Sequence, residues 1–268
     1  MSKYTFGMIG CGNMGGALAQ AAAKALSSSK LAVSDSNPER CAQLREQGFA
    51  TVTDLADIAK NSQYVILAVK PQGLASLFEE LRPMLKTRKD RFVLVSMAAG
   101  IAIDRIRELA GEAYPVIRIM PNTPARVGKG MIVYSTAGTT EEEAALFLNT
   151  LAHAGRFDAI PEKQIDAAGA LSGCGPAFVY LFAEALADGG VECGLSRDEA
   201  LLYAAQTLSG AAEMILQTGE HPAKLKDAVC SPGGTTIEGV HVLENSAFRG
   251  TVMSAVRAAF EKTAKLKK

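Results

Sequence analysis

Apolar residues in the first 160 positions fall into short runs that alternate with amphipathic stretches. The runs predict buried strands at 4–9, 30–35, 64–69, 91–100, 114–122 and 130–136. The stretches between them predict helices at 13–28, 37–48, 71–85, 102–110 and 139–155. This alternation predicts an α/β domain with a doubly wound parallel sheet over residues 1–161.

From about residue 162 the strand signal disappears, and only helical patterns follow. Ser196 and Glu199 form a capping box that opens a long helix ending at Gly219. We therefore expect an all-α domain over residues 162–268. Its helices are apolar over wide arcs and rich in Ala and Gly, so a second copy of the chain is expected to cover them. The prediction is a homodimer or a higher homo-oligomer formed through the C-terminal helices.

Composition narrows the classes of partner. The chain has 28 Lys and Arg residues and 28 Asp and Glu residues, so no net charge favours nucleic acid or an anionic membrane. We find no run of about 18 uncharged apolar residues and expect no membrane span. Five scattered cysteines without a C-x-x-C pair indicate reduced thiols in a cytoplasmic protein. The three histidines lack metal-ligand spacing, so we expect no metal site.

A G-x-G-x-x-G pattern follows the first predicted strand and opens the first helix. Gly10 permits a tight turn, Gly12 lets the backbone approach a pyrophosphate, and Gly15 allows helix and strand to pack closely. The start of the helix offers N–H groups to phosphates. Strand, glycine turn and helix in this order predict a Rossmann-like dinucleotide site.

The end of the second strand, VSDSNPER, leaves the choice of dinucleotide open. Asp35 lies 20 residues after Gly15, where a carboxylate accepts hydrogen bonds from the adenosine ribose and favours NAD. Polar residues around it are suited to a 2′-phosphate, which favours NADP; they are Ser34, Ser36, Asn37 and Arg40.

Three further loops follow predicted strands, at the sheet edge where ligands collect. AVKPQ (68–72) brings Lys70 towards cofactor or substrate anions, and SMAAG (96–100) leaves room for a ribose or nicotinamide beside Ala98 and Ala99. MPNTP (120–124) places Asn122 in a rigid polar loop between two prolines. Together these loops predict one long crevice above the glycine turn.

The stretch SPGGTT (231–236) breaks two predicted helices and predicts a carboxylate site. Gly233 and Gly234 free backbone N–H groups, and Thr235 and Thr236 add hydroxyls at the start of the next helix. The loop carries no His or Lys acid. A substrate that is already protonated and electrophilic, such as an iminium ion, needs little acid help, and positioning beside a nicotinamide then supplies most of the rate.

Eight motifs in the same order resemble the pyrroline-5-carboxylate reductase family over essentially the whole chain. They are GCGNMG, AVKPQ, AAG, MPNTP, LSGCGPA, ALADGGV, HPAKLKD and SPGGTTI. The resemblance implies a Rossmann-like NAD(P)-binding domain followed by an all-α dimerisation domain. It implies reduction of 1-pyrroline-5-carboxylate to L-proline by NAD(P)H, the last step of proline biosynthesis. The active site would lie between one subunit's nucleotide domain and helices of the dimer.

The resemblance also implies site residues. Cofactor contacts fall on Ile9, Gly10, Cys11, Gly12, Asn13, Met14, Asp35, Ser36, Ala68, Val69, Lys70, Pro71, Met97, Ala98 and Ala99, to which the loop argument adds Asn122. Substrate contacts fall on Ser231, Gly233, Gly234, Thr235, Thr236 and, by a looser motif, Glu162. Thr236 would act catalytically by hydrogen-bonding the ring nitrogen or the carboxylate. The family favours NADPH, and Asp35 leaves NADH open.

Departures from the family pattern keep alternatives in view. Cys174 and Phe178 stand where the family often has a serine and a tyrosine. One alternative is a related reductase of another imine or of a 3-hydroxy acid, for which Lys224 and Lys226 lie near the loop. The other is a nucleotide-binding protein without catalytic activity.

Overall fold

A computed structural model describes residues 2–52 and 54–265. In these residues eight strands form one sheet in the order β3-β2-β1-β4-β5-β6-β7-β8. The strands are β1 (Tyr4–Ile9), β2 (Leu31–Ser34), β3 (Ala50–Thr51), β4 (Ser62–Leu67), β5 (Val93–Ser96), β6 (Val116–Met120), β7 (Gly130–Ala137) and β8 (Gly155–Ala159). The order of β1 to β6 is that of a Rossmann-like sheet, with its switch point between β1 and β4.

Strand direction follows from the length of the connections. β1 to β6 run parallel, as predicted, whereas β7 runs antiparallel to β6. Only residues 121–129 join these two strands, and a parallel crossover needs a dozen or more residues. A helix then intervenes before β8, which returns parallel to β7.

Helices cover both faces of the sheet. They are α1 (Asn13–Ala22), α2 (Pro38–Glu46), α3 (Leu55–Asn61), α4 (Leu74–Lys86), α5 (Ile103–Ala110) and α6 (Glu141–Thr150). Successive side chains of β1 point to opposite faces. Phe6 and Met8 pack in one apolar cluster with Phe147 of α6, while Ile9 packs in another with Phe78 of α4. The doubly wound fold is therefore confirmed by a core on each face.

Within residues 1–161, two strands and one α-helix were not predicted from the sequence. β3 has only two residues and α3 only seven, so neither produces a clear periodicity. β8 is a partly exposed strand at the edge of the sheet, and its sequence GRFDA reads as a connector. The first helix also ends at Ala22 rather than near residue 28, before a run of serines.

Contacts divide the chain into two compact units. The first unit contains the sheet, the chain as far as Cys174 and the segment from Ala259. The second unit is Gly175–Ala258. The contact boundary therefore falls later than the predicted domain boundary after residue 161. Segment 162–174 belongs to the first unit because Ile165 is fully buried and packs with Met120 and Val133. Contact units and family domains are different divisions, so the predicted domain boundary stays a prediction.

The first unit also includes α7 (Ile165–Ala168), and the second unit is helical throughout its regular elements. Its helices are α8 (Gly175–Glu192), α9 (Arg197–Thr218), α10 (Pro222–Val229), α11 (Thr235–Asn245) and the first part of α12 (Phe248–Lys265). The predicted capping box of α9 is confirmed, as is its end at Gly219, which has φ +65°. Ala187 of α8 is buried against Ala200 and Ala204 of α9.

Most large apolar side chains of the second unit are exposed. Leu181 on α8, Leu202 on α9 and Met253 on α12 are each more than 60% exposed.

One helical stretch, Glu162–Glu192, is long and apolar enough to cross a membrane by length and composition. From the sequence, this stretch was the longest candidate and was excluded as a span because it carries Glu184 and Asp188. Helices buried between protein surfaces meet the same criterion, so it is weak evidence for a span.

Candidate active site

The glycine turn lies tightly against the loop that follows β4. Gly10 has φ +90°, a conformation that side chains disfavour, and a Cβ there would lie 2.8 Å from the carbonyl oxygen of Ala68. A Cβ on Gly15 would collide with the Gly10 carbonyl oxygen and lie 3.0 Å from the Ala68 Cβ. Both glycines are therefore required by close packing, as expected of a dinucleotide turn.

Helix α1 begins immediately after this turn and leaves its first N–H groups available. Its N-cap is Gly12, and no side chain in the described residues caps the helix. Burial raises the pKa of the nearby Cys11 thiol to about 12, so the thiol stays neutral at ordinary pH. Free N–H groups, the positive end of the helix dipole and the absence of a thiolate suit a pyrophosphate. These residues fit a dinucleotide.

Asp35 ties the glycine turn to the loop after β2. Its Oδ2 accepts a hydrogen bond from the Cys11 N–H at 2.7 Å, and its Oδ1 accepts one from the Asn37 N–H at 2.9 Å. Arg40 Nη1 lies 3.7 Å from Oδ2, and the Asp35 side chain is only 8% exposed. Each oxygen thus already serves the backbone, which the sequence argument about ribose binding did not foresee. Ser36 is exposed beside it.

Strand register brings the other predicted cofactor loops to the same edge. Ile9 pairs with Leu67, and Leu67 pairs with Ser96, so the loops after β1, β4 and β5 are neighbours. Their predicted cofactor residues differ in exposure: Ala68, Val69, Met97 and Ala99 are half-buried, Ala98 is buried, and Lys70 is exposed. The edge therefore gathers the predicted cofactor residues of the first unit, although their individual contacts stay predictions.

A cavity of about 280 Å³ opens at the carboxyl ends of β5 and β6. Its wall contains Met14 and Ala99 together with the loop that carries Asn122. The opposite wall includes Gly169 and Cys174. Small and apolar residues dominate, which suits a flat ring with few polar substituents. Among the described residues, no group of three or more His, Cys, Asp or Glu side chains is placed to hold a metal ion.

Glu162 is engaged within the protein. Its Oε1 accepts a hydrogen bond from the Ile103 N–H at 2.6 Å, which caps α5, and another from Arg118 Nη1 at 3.2 Å. Arg118 also donates to Asp166 Oδ1 at 2.6 Å. The predicted substrate contact of Glu162 stays a prediction. Sequence reasoning missed the Arg118–Asp166 pair, although an arginine inside the apolar strand VIRIM was a signal.

The SPGGTT loop lies in the second unit and leads into α11. Gly233 has φ +67°, and the Gly234 N–H donates to the Ser231 carbonyl oxygen at 3.0 Å. The helix begins at Thr235, and both threonines are exposed in its first turn. In the described residues no side chain caps this helix.

The exposed start of α11 can therefore bind an anion through backbone N–H groups and two hydroxyls. Neither threonine is the N-cap of this helix, because that position is Gly234. Glu238 is an acidic side chain of the same first turn and is exposed. Ser231, Gly233, Gly234, Thr235 and Thr236 are thus neighbours, and their substrate contacts stay predictions.

A Rossmann-like sheet whose glycine turn fits a dinucleotide, joined in one chain to a helical unit, is typical of NAD(P)-dependent oxidoreductases. Comparisons with known proteins make the family specific. A family model described as pyrroline-5-carboxylate reductase dimerisation matches residues 162–266. A second model, described as NADP oxidoreductase, coenzyme F420-dependent, matches residues 5–100.

Relatives similar to the whole chain agree with these models. The chain is 45% identical to pyrroline-5-carboxylate reductase of Pisum sativum, covering 98% of this chain and 96% of the relative. It is 40% identical to that of Escherichia coli (strain K12), covering 98% of each. A crystal structure of Plasmodium falciparum pyrroline carboxylate reductase with NADP bound has 32% identity, a TM-score of 0.89 and full coverage of both chains. The chain belongs to the pyrroline-5-carboxylate reductase family, as its motifs predicted.

Proposed function

We propose that this chain reduces 1-pyrroline-5-carboxylate to L-proline, the last step of proline biosynthesis. The observation that carries the proposal is its similarity, over nearly the full length, to relatives named for this reaction. NAD(P)H supplies a hydride to the carbon of the C=N bond, and the nitrogen carries the proton that completes the amine. Because the protonated imine is already electrophilic, the protein's task is mainly to hold it in position.

The start of α11 is the proposed site of the substrate carboxylate. Thr235 and Thr236 supply exposed hydroxyls, and the first N–H groups of the helix are directed to solvent or ligand. All of these donors are uncharged, so they orient an anion without becoming proton acids. Thr236 would then hold the ring in the geometry needed for hydride transfer, with the proton coming from solvent or present beforehand.

Replacing Thr236 with alanine tests this assignment. Hydrogen bonds to a charged group contribute roughly 1.5–3 kcal/mol, so kcat/KM should fall about 10- to 100-fold, with a higher KM and a lower kcat. Thr251→Ala is the matched control, because its hydroxyl bonds only the Ala247 carbonyl oxygen among the described residues. Unchanged kinetics in Thr236→Ala would remove Thr236 from the mechanism.

NADPH is the proposed cofactor, rather than NADH. Both carboxylate oxygens of Asp35 accept backbone N–H groups, and the Arg40 guanidinium lies 3.7 Å away. The carboxylate is therefore partly neutralised and less able to select for free ribose hydroxyls. Arg40 and the exposed Ser36 are suited to a 2′-phosphate at the same edge.

Steady-state kinetics with both cofactors test the preference. Removing one cationic contact to the 2′-phosphate is expected to lower the NADPH-to-NADH ratio of kcat/KM roughly tenfold in Arg40→Ala. Arg45→Ala is the control, since Arg45 lies on the same helix and bonds Thr51. An unchanged ratio in Arg40→Ala would reject its role.

Failure of the wild-type protein to oxidise either cofactor with this imine would reject the reductase activity and favour another substrate or a binding role.

The exposed apolar faces of the second unit support a homodimer formed by the C-terminal helices. Leu202 is 64% exposed on α9, and a second copy of the chain would cover it. Light scattering should give at least twice the chain mass for the wild-type protein. Leu202→Glu should lower this mass, whereas Val127→Glu, at a 77% exposed site of the first unit, should not. A wild-type monomer would reject the proposal.

We also propose a cytoplasmic location. All five cysteines are free thiols in the structure, consistent with a reducing compartment. Cell fractionation with antibody detection would test it, and recovery only with membranes or outside the cell would contradict it.

A further inference from the structure

Three residues at every second position, in β6 and just after it, contact the segment that follows residue 161. Arg118 donates to Glu162 and Asp166, at 3.2 and 2.6 Å. Two residues after Arg118, the Met120 side chain packs against Gly169. A Cβ added to Gly169 would lie 3.1 Å from Met120 Cγ. Two positions further, Asn122 binds the same segment. Because side chains of an extended chain alternate in direction, β6 and the residues that extend it make all three contacts from one face.

Asn122 is bonded on both sides of its amide. Its Nδ2 donates to the Ser172 carbonyl oxygen, and its Oδ1 accepts from the Met131 N–H, both at 2.9 Å. The Asn122 residue is only 8% exposed. These bonds join the start of β7, the loop after β6 and the segment before α8. The amide therefore serves as a bridge between protein segments.

The Ser172 carbonyl needs such a donor for a reason that lies in the sequence. Ser172 belongs to a π-helical turn, Gly169–Gly173, in which the Cys174 N–H donates to the Gly169 carbonyl oxygen at 3.2 Å. In an α-helix the donor to Ser172 would be the N–H of residue 176, and that residue is a proline. Asn122 Nδ2 takes the place of the donor that proline lacks.

The bridge joins two walls of the cavity described above. Met120 and Asn122 belong to one wall, and Gly169, Gly173 and Cys174 belong to the other. We propose that Asn122 is a positioning residue for hydride transfer: it sets the separation of these walls, rather than binding the cofactor as its motif predicted. This inference rests on the proposed reductase activity, because the cavity is the place where a nicotinamide or a pyrroline ring would be held.

Asn122→Asp tests the proposal with little change in shape. The new side chain still accepts from the Met131 N–H but faces the Ser172 carbonyl with an oxygen, so the bridge opens. Misplacement by about 1 Å can cost about 100-fold in rate, and we expect kcat to fall roughly 10- to 100-fold. KM for NADPH should stay near the wild-type value. With NADPH deuterated at both C4 positions, the isotope effect on kcat should rise, because hydride transfer becomes slower than product release.

Gly169→Ala perturbs the separation of the same two walls at the neighbouring contact between Gly169 and Met120. Its φ of −63° accepts alanine without backbone strain, while the added Cβ presses on Met120. It should lower kcat and raise the isotope effect in the same direction. Asn61→Asp is the matched control, because it makes the same amide-to-carboxylate change and removes the hydrogen bond that Asn61 donates to Asp57. Asn61 directly precedes β4 and so lies at the amino end of that strand. It should leave kcat and the isotope effect unchanged.

The outcomes separate this proposal from the reductase activity. If the wild-type protein does not reduce the imine, the proposed reductase activity is rejected. An active wild type with unchanged kcat and isotope effect in Asn122→Asp overturns the positioning role. A raised KM for NADPH with normal kcat at saturation also overturns it, because that result indicates direct cofactor binding. If Asn122→Asp does not fold by circular dichroism, wild-type kinetics in Gly169→Ala overturn the proposal.

Discussion

The ion pair between Arg118 and Asp166 gives a direct measure of how segment 162–174 is held on the sheet. Their charged atoms are 2.6 Å apart, and the two side chains are only 3% and 8% exposed. Arg105 and Glu108 on α5 form a pair at 2.8 Å, but their side chains are 56% and 64% exposed. The two pairs have similar separations and differ strongly in contact with water.

The difference in burial sets the expected energies. Opposite unit charges 4 Å apart attract by about 4 kcal/mol at an effective dielectric constant near 20, and by about 1 kcal/mol in water. Part of the buried attraction offsets the cost of removing both groups from water. We therefore expect a net coupling energy of about 2–3 kcal/mol for the buried pair, the range of hydrogen bonds to charged groups. The exposed pair should give about 0.2–1 kcal/mol.

Double-mutant cycles measure these couplings. Urea unfolding of wild type, Arg118→Met, Asp166→Asn and the double variant gives one cycle, and Arg105→Met with Glu108→Gln gives the other. All variants must be compared at one protein concentration, because subunit association adds to apparent stability. A coupling below about 1 kcal/mol at the buried pair, or equal couplings at both pairs, would refute the role assigned to burial.

Three further outcomes are expected. Because burial raises the pKa of Cys11 to about 12, iodoacetamide at pH 8 should label exposed Cys193 much faster than buried Cys11. Peptide mapping measures both rates, and equal labelling of the two cysteines would contradict this. Gly10→Ala should abolish dinucleotide binding in fluorescence titrations, since its φ is +90° and its Cβ would meet a carbonyl oxygen, and wild-type affinity would count against the packing argument. The hydrogen bond from Arg88 lowers the pKa of Asp90 in the folded state, so its contribution exists above the unfolded value of about 3.9 and is lost as pH falls. Asp90→Asn should therefore lower the urea midpoint at pH 7, and this difference should shrink as the pH falls below about 3.9; a pH-independent difference would oppose this reading.

Much of the fold was predictable because its signals are local. A buried parallel strand needs a continuous apolar run, and β1 and β4 both have one. The glycine turn could also be read from sequence, since only glycine tolerates φ +90° beside a carbonyl group at Gly10. Short elements such as β3 and the edge strand β8 carry too few residues for a periodic pattern, and neighbouring strands determine them instead.

The roles of polar side chains were less predictable. Sequence reasoning directed Asp35, Glu162 and Asn122 towards ligands, whereas the structure gives each of them backbone N–H groups or carbonyl oxygens as partners. Arg118 was missed altogether. Such partners lie 24 to 59 residues away along the chain in these bonds, so no local pattern specifies them.

By itself, the sequence determined the alternating sheet, the glycine turn, the helical C-terminal part and the family, because periodicity and short motifs are properties of neighbouring residues. Tertiary structure alone decided that Arg118 pairs with Asp166 and that Asn122 supplies the donor which Pro176 cannot. The physical reason is that buried polar groups must find partners in space. Chain folding, not chain order, decides which partners are within reach.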